Sequence, residues 1–180
     1  MSRPAILAID QGTTSTRAML FDPGDRPLAS AQVAHRQTFP HNGWAEHHPE
    51  KTWANIIHFS RDVIDQRREV AAAAIGIANQ HETTVSWDRQ TGGAIHNAIV
   101  WQDRRGSALC ASLRAAGHAP LIGERTGLLL YSYFRTSKLH WFLDSVPGVC
   151  ERTRAGKIAF GTIERFLLWR LARAAFMQAM

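Results

Sequence analysis

Ala5-Ile6-Leu7-Ala8-Ile9, running directly into Asp10-Gln11-Gly12-Thr13-Thr14-Ser15-Thr16, decides how the rest of the 180-residue chain is read. Five successive apolar residues, stopped by an aspartate, are what a strand buried inside a sheet presents. The polar run that follows reads as a turn, because Arg17 to Phe21 then resumes an extended apolar pattern. Asp22-Pro23-Gly24-Asp25 reverses the chain again, since Pro presets φ and Gly tolerates the left-handed region. Leu28 to Val33 reads as a third strand. Three strands joined by tight turns predict an antiparallel meander with the hydroxyl-rich turn at one end.

Beyond the meander, His35 to His48 is loop-like, with Pro40, Asn42 and Gly43. Pro49 suits the first turn of a helix, and Trp53, Ile56, Ile57, Val63 and Ile64 follow at helical spacing, predicting a helix to about Arg68. Ala73 to Asn79 and Thr83 to Trp87 read as strands separated by the polar Gln80-His81-Glu82, and Ala98 to Trp101 as a further short one. Asp103 to Ala116 reads as a helix capped by Asp103 and ended by Gly117. A second helix is expected from about Ser137 to Val146, a strand from Lys157 to Phe160, and a last helix from Thr162 onward. Strands first and a mixed strand-helix order afterwards indicate an α/β fold with a mixed sheet flanked by helices.

Composition narrows the function classes. Hydrophobic residues make up 45% and charged residues 20% of the chain, ordinary globular usage that excludes disorder and low-complexity polymers. The length fits one domain with a sizeable core. The formal charge of +6 invites a nucleic-acid partner, but residues 1–150 carry only +2 and residues 151–180 carry +4, with no basic run longer than two. Electrostatic binding to phosphate backbones wants a concentrated basic face, so no nucleic-acid partner is expected. Cys110 and Cys150 stand far apart, outside any metal or disulfide spacing, and read as free buried thiols. The apolar run at the amino terminus is too short for a signal peptide, and no stretch reaches the roughly 18 residues of a spanning helix, so a cytoplasmic protein without a membrane partner is expected.

Two places carry chemistry. In the first turn, Gly12 allows close approach of the backbone to a ligand, three successive hydroxyls (Thr13, Thr14, Ser15) can donate to phosphate oxygens, and Arg17 lies just downstream. Asp10, at the end of a buried strand, is a candidate magnesium ligand. Neither a P-loop nor a GxGxxG is present, so the residues alone leave a phosphate turn and a simple polar hairpin both open. In the second place, Asn79-Gln80-His81-Glu82-Thr83-Thr84 interrupts two apolar strands with hydrogen-bonding side chains, as a small polyhydroxy ligand would require. A solvated bend is the bland alternative. Trp101 would serve either as a strand end or as a cover for the carbon face of a ligand, and Tyr131 and Tyr133 read first as core residues.

Taken in order, Ala8-Ile9-Asp10-Gln11-Gly12-Thr13-Thr14-Ser15, Gly43-Trp44-Ala45-Glu46-His47, Ala74 to Gln80 with Glu82-Thr83-Thr84, and Asn97 to Arg105 resemble the FGGY carbohydrate kinases, the glycerol kinases in particular. Gly127-Leu128, Tyr133-Phe134, Lys138 and Phe160-Gly161-Thr162 continue the likeness, which spans residues 5 to about 170. The resemblance implies an actin-like ATPase (ribonuclease H-like) fold, ATP and Mg²⁺ as cofactors, and transfer of the γ-phosphoryl group to glycerol. It further implies that Thr13, Thr14, Ser15 and Arg17 contact the nucleotide phosphates, with Asp10 near the metal. His81, Glu82 and Tyr133 would hydrogen-bond glycerol, and Trp101 would pack against its carbons.

Departures from the family pattern matter too. His81 stands where the family has Arg, a fixed multi-donor cation, which puts glycerol affinity in question and keeps another polyol or ketose as an alternative substrate. Ser132 replaces a Pro, and Glu164 an Asp. The Gly-Asp-Gln motif that carries the family's general base, in a second domain, does not occur. The resemblance thus implies an incomplete amino-terminal domain over residues 1–171, a divergent tail over 172–180, and no carboxy-terminal domain. Two expectations follow: a kinase fragment inactive by itself, or a non-catalytic module that pairs with a separate second half or with a second copy of the chain.

Overall fold

The computed structural model describes residues 2–179, with side chains through residue 173; the stretch 172–180, read from the sequence as a divergent tail, lies mostly outside the described side chains. In chain order the first elements are β1 (Arg3–Gln11), β2 (Ser15–Phe21), β3 (Pro27–Ala34), β4 (Glu46–His47), α1 (Pro49–Asp65) and β5 (Val70–Asn79). There follow β6 (Thr84–Asp88), β7 (Ala98–Ile99), α2 (Ser107–Ala115), α3 (Ala119–Thr126), α4 (Arg135–Ser145), α5 (Val149–Arg154), β8 (Ile158–Thr162) and α6 (Ile163–Ala179). They divide into two compact units, Met1–Gln37 with His48–Gln80, and Thr38–His47 with His81–Met180.

The first unit is a four-stranded sheet in the order β3-β2-β1-β5. β1 to β3 form the expected antiparallel meander, and β5 joins β1 in parallel, so the sheet is mixed. Alternation sends Ala5, Leu7 and Ile9 of β1 and Ala18 and Leu20 of β2 to one buried face. Helix α1 packs there through Ile56 and Val63, with the small polar Ser60 between them and Thr52 one turn before Ile56. Its start is fixed by Pro49 and by the His48 side chain, which accepts a hydrogen bond from the Lys51 N–H. The parallel β1–β5 pairing requires a crossover, which α1 supplies.

The second unit has its own sheet, β4-β7-β6-β8, antiparallel throughout. Its core brings Ile99 and Ile158 together with Phe142 of α4 and Val149 of α5. Ile163, Phe166 and Leu167 of α6 are also fully buried, and Trp87 of β6 meets Phe166 edge-to-face at 5.6 Å. The single mixed sheet read from sequence is therefore accompanied by this second, separate sheet. Helices α3 and α5 were not expected. α3 buries no residue and so carries no apolar stripe, and α5 is only six residues long.

Asp103 does not cap a helix: α2 begins four residues later, after Gly106, with no side-chain cap. Gly106 is there because space is short. A Cβ at that position would stand 2.4 Å from the Ser137 Oγ and 2.5 Å from its Cβ on α4. Cys110 is buried as read, whereas Cys150 is only half-buried. Tyr131 is exposed rather than in the core. Gly106→Ala should force α2 from α4 and lower the unfolding free energy by about 1–3 kcal/mol, read as a lower urea midpoint at unchanged slope.

Candidate active site

The turn after β1 is closed by a hydrogen bond from the Gly12 N–H to the Ser15 carbonyl, 2.9 Å long. A Cβ on residue 12 would come within 3.3 Å of that same oxygen, so the glycine keeps the turn tight. Thr13 and Ser15 are half-buried and Thr14 is exposed. Behind the turn lies a polar knot that holds its shape. Thr16 donates to the Gln11 Oε1 at 2.7 Å, and the His35 Nε2 lies 2.7 Å from the Gln11 Nε2 and 2.8 Å from the Thr16 Oγ1. Gln11 and Thr16 are fully buried, and the His35 backbone N–H reaches back to the Thr14 carbonyl at 2.7 Å. Burial pulls the His35 imidazole below its ordinary pKa, which favours its neutral form.

Asp10 is exposed at the end of β1 and pairs in register with Arg17, which in turn pairs with Gln32. Arg17 spends its Nε and Nη2 on the Gln32 Oε1, at 2.9 and 2.7 Å. A carboxylate, a guanidinium and an amide thus form one row across three strands beside the hydroxyl turn. Among the described residues, no group of three or more His, Cys, Asp or Glu side chains could hold a metal by itself. A lone carboxylate nevertheless fits magnesium, which is held by one or two carboxylates together with phosphate oxygens and water.

The second unit assembles the other group of candidate residues. Glu82 sits between β5 and β6 with φ +57°, a left-handed conformation that a non-glycine residue adopts only when its surroundings hold it. Its Oε2 accepts from the Arg135 N–H at 3.1 Å and lies 3.4 Å from the Arg135 Nε. Trp101 and Tyr133 meet edge-to-face with centroids 6.1 Å apart. His81 is exposed at the head of the same turn, its carbonyl accepting the Thr83 N–H at 2.8 Å. Lys138 of α4 binds this group together: its Nζ donates to the Glu82 carbonyl at 3.0 Å and to the Tyr133 carbonyl at 2.5 Å. Only 1% of Lys138 is exposed. Burial pulls its ammonium down to about 8, against the pull of the Glu82 and Asp103 carboxylates.

Beneath lies a charged cluster that sequence reading missed. Arg105 donates from Nε and Nη2 to Asp103 at 2.9 and 2.8 Å, and from Nη2 to Glu46 at 2.7 Å. Asp103 also accepts the Ala45 N–H at 2.7 Å, and Glu46 accepts from Asn97 at 3.0 Å. The guanidinium lies over the rings of Trp44 and Trp141, 3.8 and 4.4 Å from their centroids. The residues were visible as motif letters, Trp44-Ala45-Glu46 and Asp103-Arg104-Arg105, but nothing local says that they meet across 58 positions of chain.

A mixed sheet in the order β3-β2-β1-β5, with a hydroxyl turn between its first two strands, has the actin-like ATPase arrangement of α/β folds. The chain belongs to the FGGY family of carbohydrate kinases: residues 5–178 match the family's N-terminal domain. It is 56% identical over 170 residues to a glycerol kinase of Methylobacterium nodulans and 50% identical over 168 residues to glycerol kinase 1 of Pseudomonas aeruginosa, covering 92% of this chain in each case. Glycerol kinase of Plasmodium falciparum, solved with ADP, superposes with a TM-score of 0.90 at 31% identity over 93% of this chain. Gluconate kinase of Lactobacillus acidophilus shares the fold, with a TM-score of 0.78 at 21% identity over 94% of this chain. The chain spans about a third of the length of each of these relatives, 34% of the three glycerol kinases and 33% of the gluconate kinase. Among the described residues no helix is long and apolar enough to cross a membrane.

Two outcomes follow. Because the folded-state pKa of His35 lies below its unfolded value of about 6.5, the unfolded chain takes up this proton first as pH falls. The stabilising contribution is fully present above about 6.5 and declines below it. Urea unfolding between pH 5 and 7 should show a smaller acid loss in His35→Asn than in the native chain. Arg105→Leu should cost about 3–5 kcal/mol by stranding two buried carboxylates, read from the same unfolding curves at pH 7.

Proposed function

We propose that this chain carries the phosphate turn and the polyol-binding residues of a glycerol kinase, an ATP-dependent enzyme that makes glycerol 3-phosphate. The reading is supported by two links within one unit: Lys138 bonds the main-chain carbonyls of Glu82 and Tyr133, and the Tyr133 ring meets Trp101, so the segments that carry a carboxylate, a phenol and an indole are tied together. The 56% identity to a glycerol kinase supports glycerol over a sugar, whereas the gluconate kinase shares only the fold.

In this reading Thr13, Thr14 and Ser15 donate to the nucleotide phosphates, and Arg17 leaves Gln32 to pair with their charge. Asp10 would hold Mg²⁺, which would supply neutralisation of phosphate charge. His81, Glu82 and Tyr133 hydrogen-bond the glycerol hydroxyls, and the Trp101 ring covers the carbon chain. Phosphoryl transfer draws its rate from positioning and charge neutralisation, so a rigid acceptor pocket is what these residues contribute. The hydroxyl proton must pass to a base, and the Gly-Asp-Gln motif that supplies it in the family does not occur in these 180 residues. His81 offers fewer donors than the arginine the family carries there, and weakens the hold on glycerol without replacing its chemistry.

Calorimetry should detect glycerol binding to the 180-residue chain, and Glu82→Gln should weaken it by about 10–100-fold, the cost of a hydrogen bond to a charged group. In a coupled ADP-release assay with Mg-ATP and glycerol the same chain should give no turnover. Fusion to the remaining two thirds of a glycerol kinase should restore it. Absence of glycerol binding, or ordinary kinase turnover of about 1 s⁻¹ or more by the 180 residues alone, would overturn the reading.

A further inference from the structure

Lys138 is the one lysine whose whole side chain is sunk in the second unit, and burying an ammonium is costly unless its donors are used. Two of its three donors go to main-chain carbonyls, those of Glu82 and Tyr133. These residues lie 51 positions apart in sequence and on different segments, and neither has another hydrogen bond joining it to the other. The Glu82 backbone is in the left-handed region, where it stays only while something holds it. The Tyr133 carbonyl comes just before α4, at the point where the chain must turn to start the helix at Arg135.

We propose that Lys138 is a positioning residue for the acceptor pocket: its ammonium clamps the Glu82 and Tyr133 carbonyls together and thereby sets the spacing of the two side chains that grip the polyol. The inference rests on the proposed glycerol site and goes beyond it by assigning the site's geometry to a residue that touches no ligand. Lys138 bonds carbonyls, and the charges around it act from further off: Glu82 before β6, Asp103 and Arg105 after β7, and Arg135 on its own helix. The Tyr133 ring, 5.8 Å from the Nζ, faces the same ammonium. Cys110 of α2 packs nearby against Ser137, and burial pushes its thiol up, away from the range in which the lysine titrates. Loss of the ammonium proton loosens the clamp, because a neutral amine is the weaker donor and no longer attracts the Glu82 carboxylate.

The sequence makes the clamp directly observable. Glu82-Thr83 is the only Glu-Thr pair and Tyr133-Phe134 the only Tyr-Phe pair in the chain. Carbonyl-¹³C labelling of Glu or Tyr, combined with ¹⁵N labelling of Thr or Phe, therefore gives one carbonyl resonance for each arm of the clamp. In the native chain both resonances should move together with one midpoint near pH 8. In Lys138→Met both should shift and lose that pH response, and glycerol affinity should fall about tenfold or more. Unchanged carbonyl resonances in a folded Lys138→Met variant overturn the proposal, as does unchanged glycerol affinity when the resonances move. If the variant fails to fold, the native chain decides: glycerol affinity that stays constant from pH 7 to 9 while the two carbonyls titrate overturns it. A native chain whose carbonyls titrate but which binds no glycerol overturns the glycerol reading instead, a result distinct from either of these.

Discussion

Arg105 is the interaction on which the second unit depends. A guanidinium with almost no exposed surface holds Asp103 and Glu46 and lies over the rings of Trp44 and Trp141. Taking these charges out of water is expensive, and it is offset by bidentate contact to Asp103, a further bond to Glu46, and Asn97 and the Ala45 N–H on the remaining carboxylate lone pairs, with the Arg105 Nη1 left buried without a hydrogen bond. Arginine is suited to it where lysine is not, since a planar fork can bond two carboxylates while its faces stack on indoles. Through these bonds the cluster fixes β4 against β7 and the turn that carries Trp101.

Charge continues outward from that cluster. The Asp103 carboxylate also acts on Lys138, which bonds the carbonyls of Glu82 and Tyr133, while Arg135 meets the Glu82 carboxylate from the start of α4. Acids and bases alternate along this path, so the buried charge is close to balanced, and each group has a direction in which it cannot move without stranding a neighbour. Side chains tied this way hold one another in place through their own bonds. Such an arrangement suits the proposed role of holding an acceptor hydroxyl in place.

The first unit reaches rigidity by another route. Its hydroxyl turn is short, with Thr14 exposed and Thr13 and Ser15 half-buried, and a polar knot of Gln11, Thr16 and His35 stiffens it from behind. A charged support there would compete with the phosphate oxygens the turn is proposed to bind, whereas neutral amide, hydroxyl and imidazole groups orient the backbone and leave the field to Arg17 and Asp10. Gln11 and Thr16 had the look of turn residues in the sequence. Their full burial follows from the alternation of β1 and β2, which sends both to the α1 side of the sheet.

Local pattern determined a good deal of this protein. Five apolar residues before a hydroxyl run gave the first strand and turn, Pro-Gly and the return of alternation gave the meander, and three-and-four spacing gave α1, because each of these signals is carried by neighbours in the chain. Motif order placed Glu82, Trp101 and Tyr133 among the candidates and matched the family that the residue-by-residue comparison shows. Tertiary structure alone decided the rest. It separated a second sheet from the first, took Asp103 from a helix cap to an ion cluster, and moved Tyr131 to the surface. It also turned Lys138 from one letter of a motif into the link between two candidate ligand contacts. The physical reason is common to these cases. A buried charge is tolerable only where distant partners converge on it, and the distances along the chain, 58 residues from Ala45 to Asp103 and 56 from Glu82 to Lys138, exceed anything that periodicity or turn chemistry encodes.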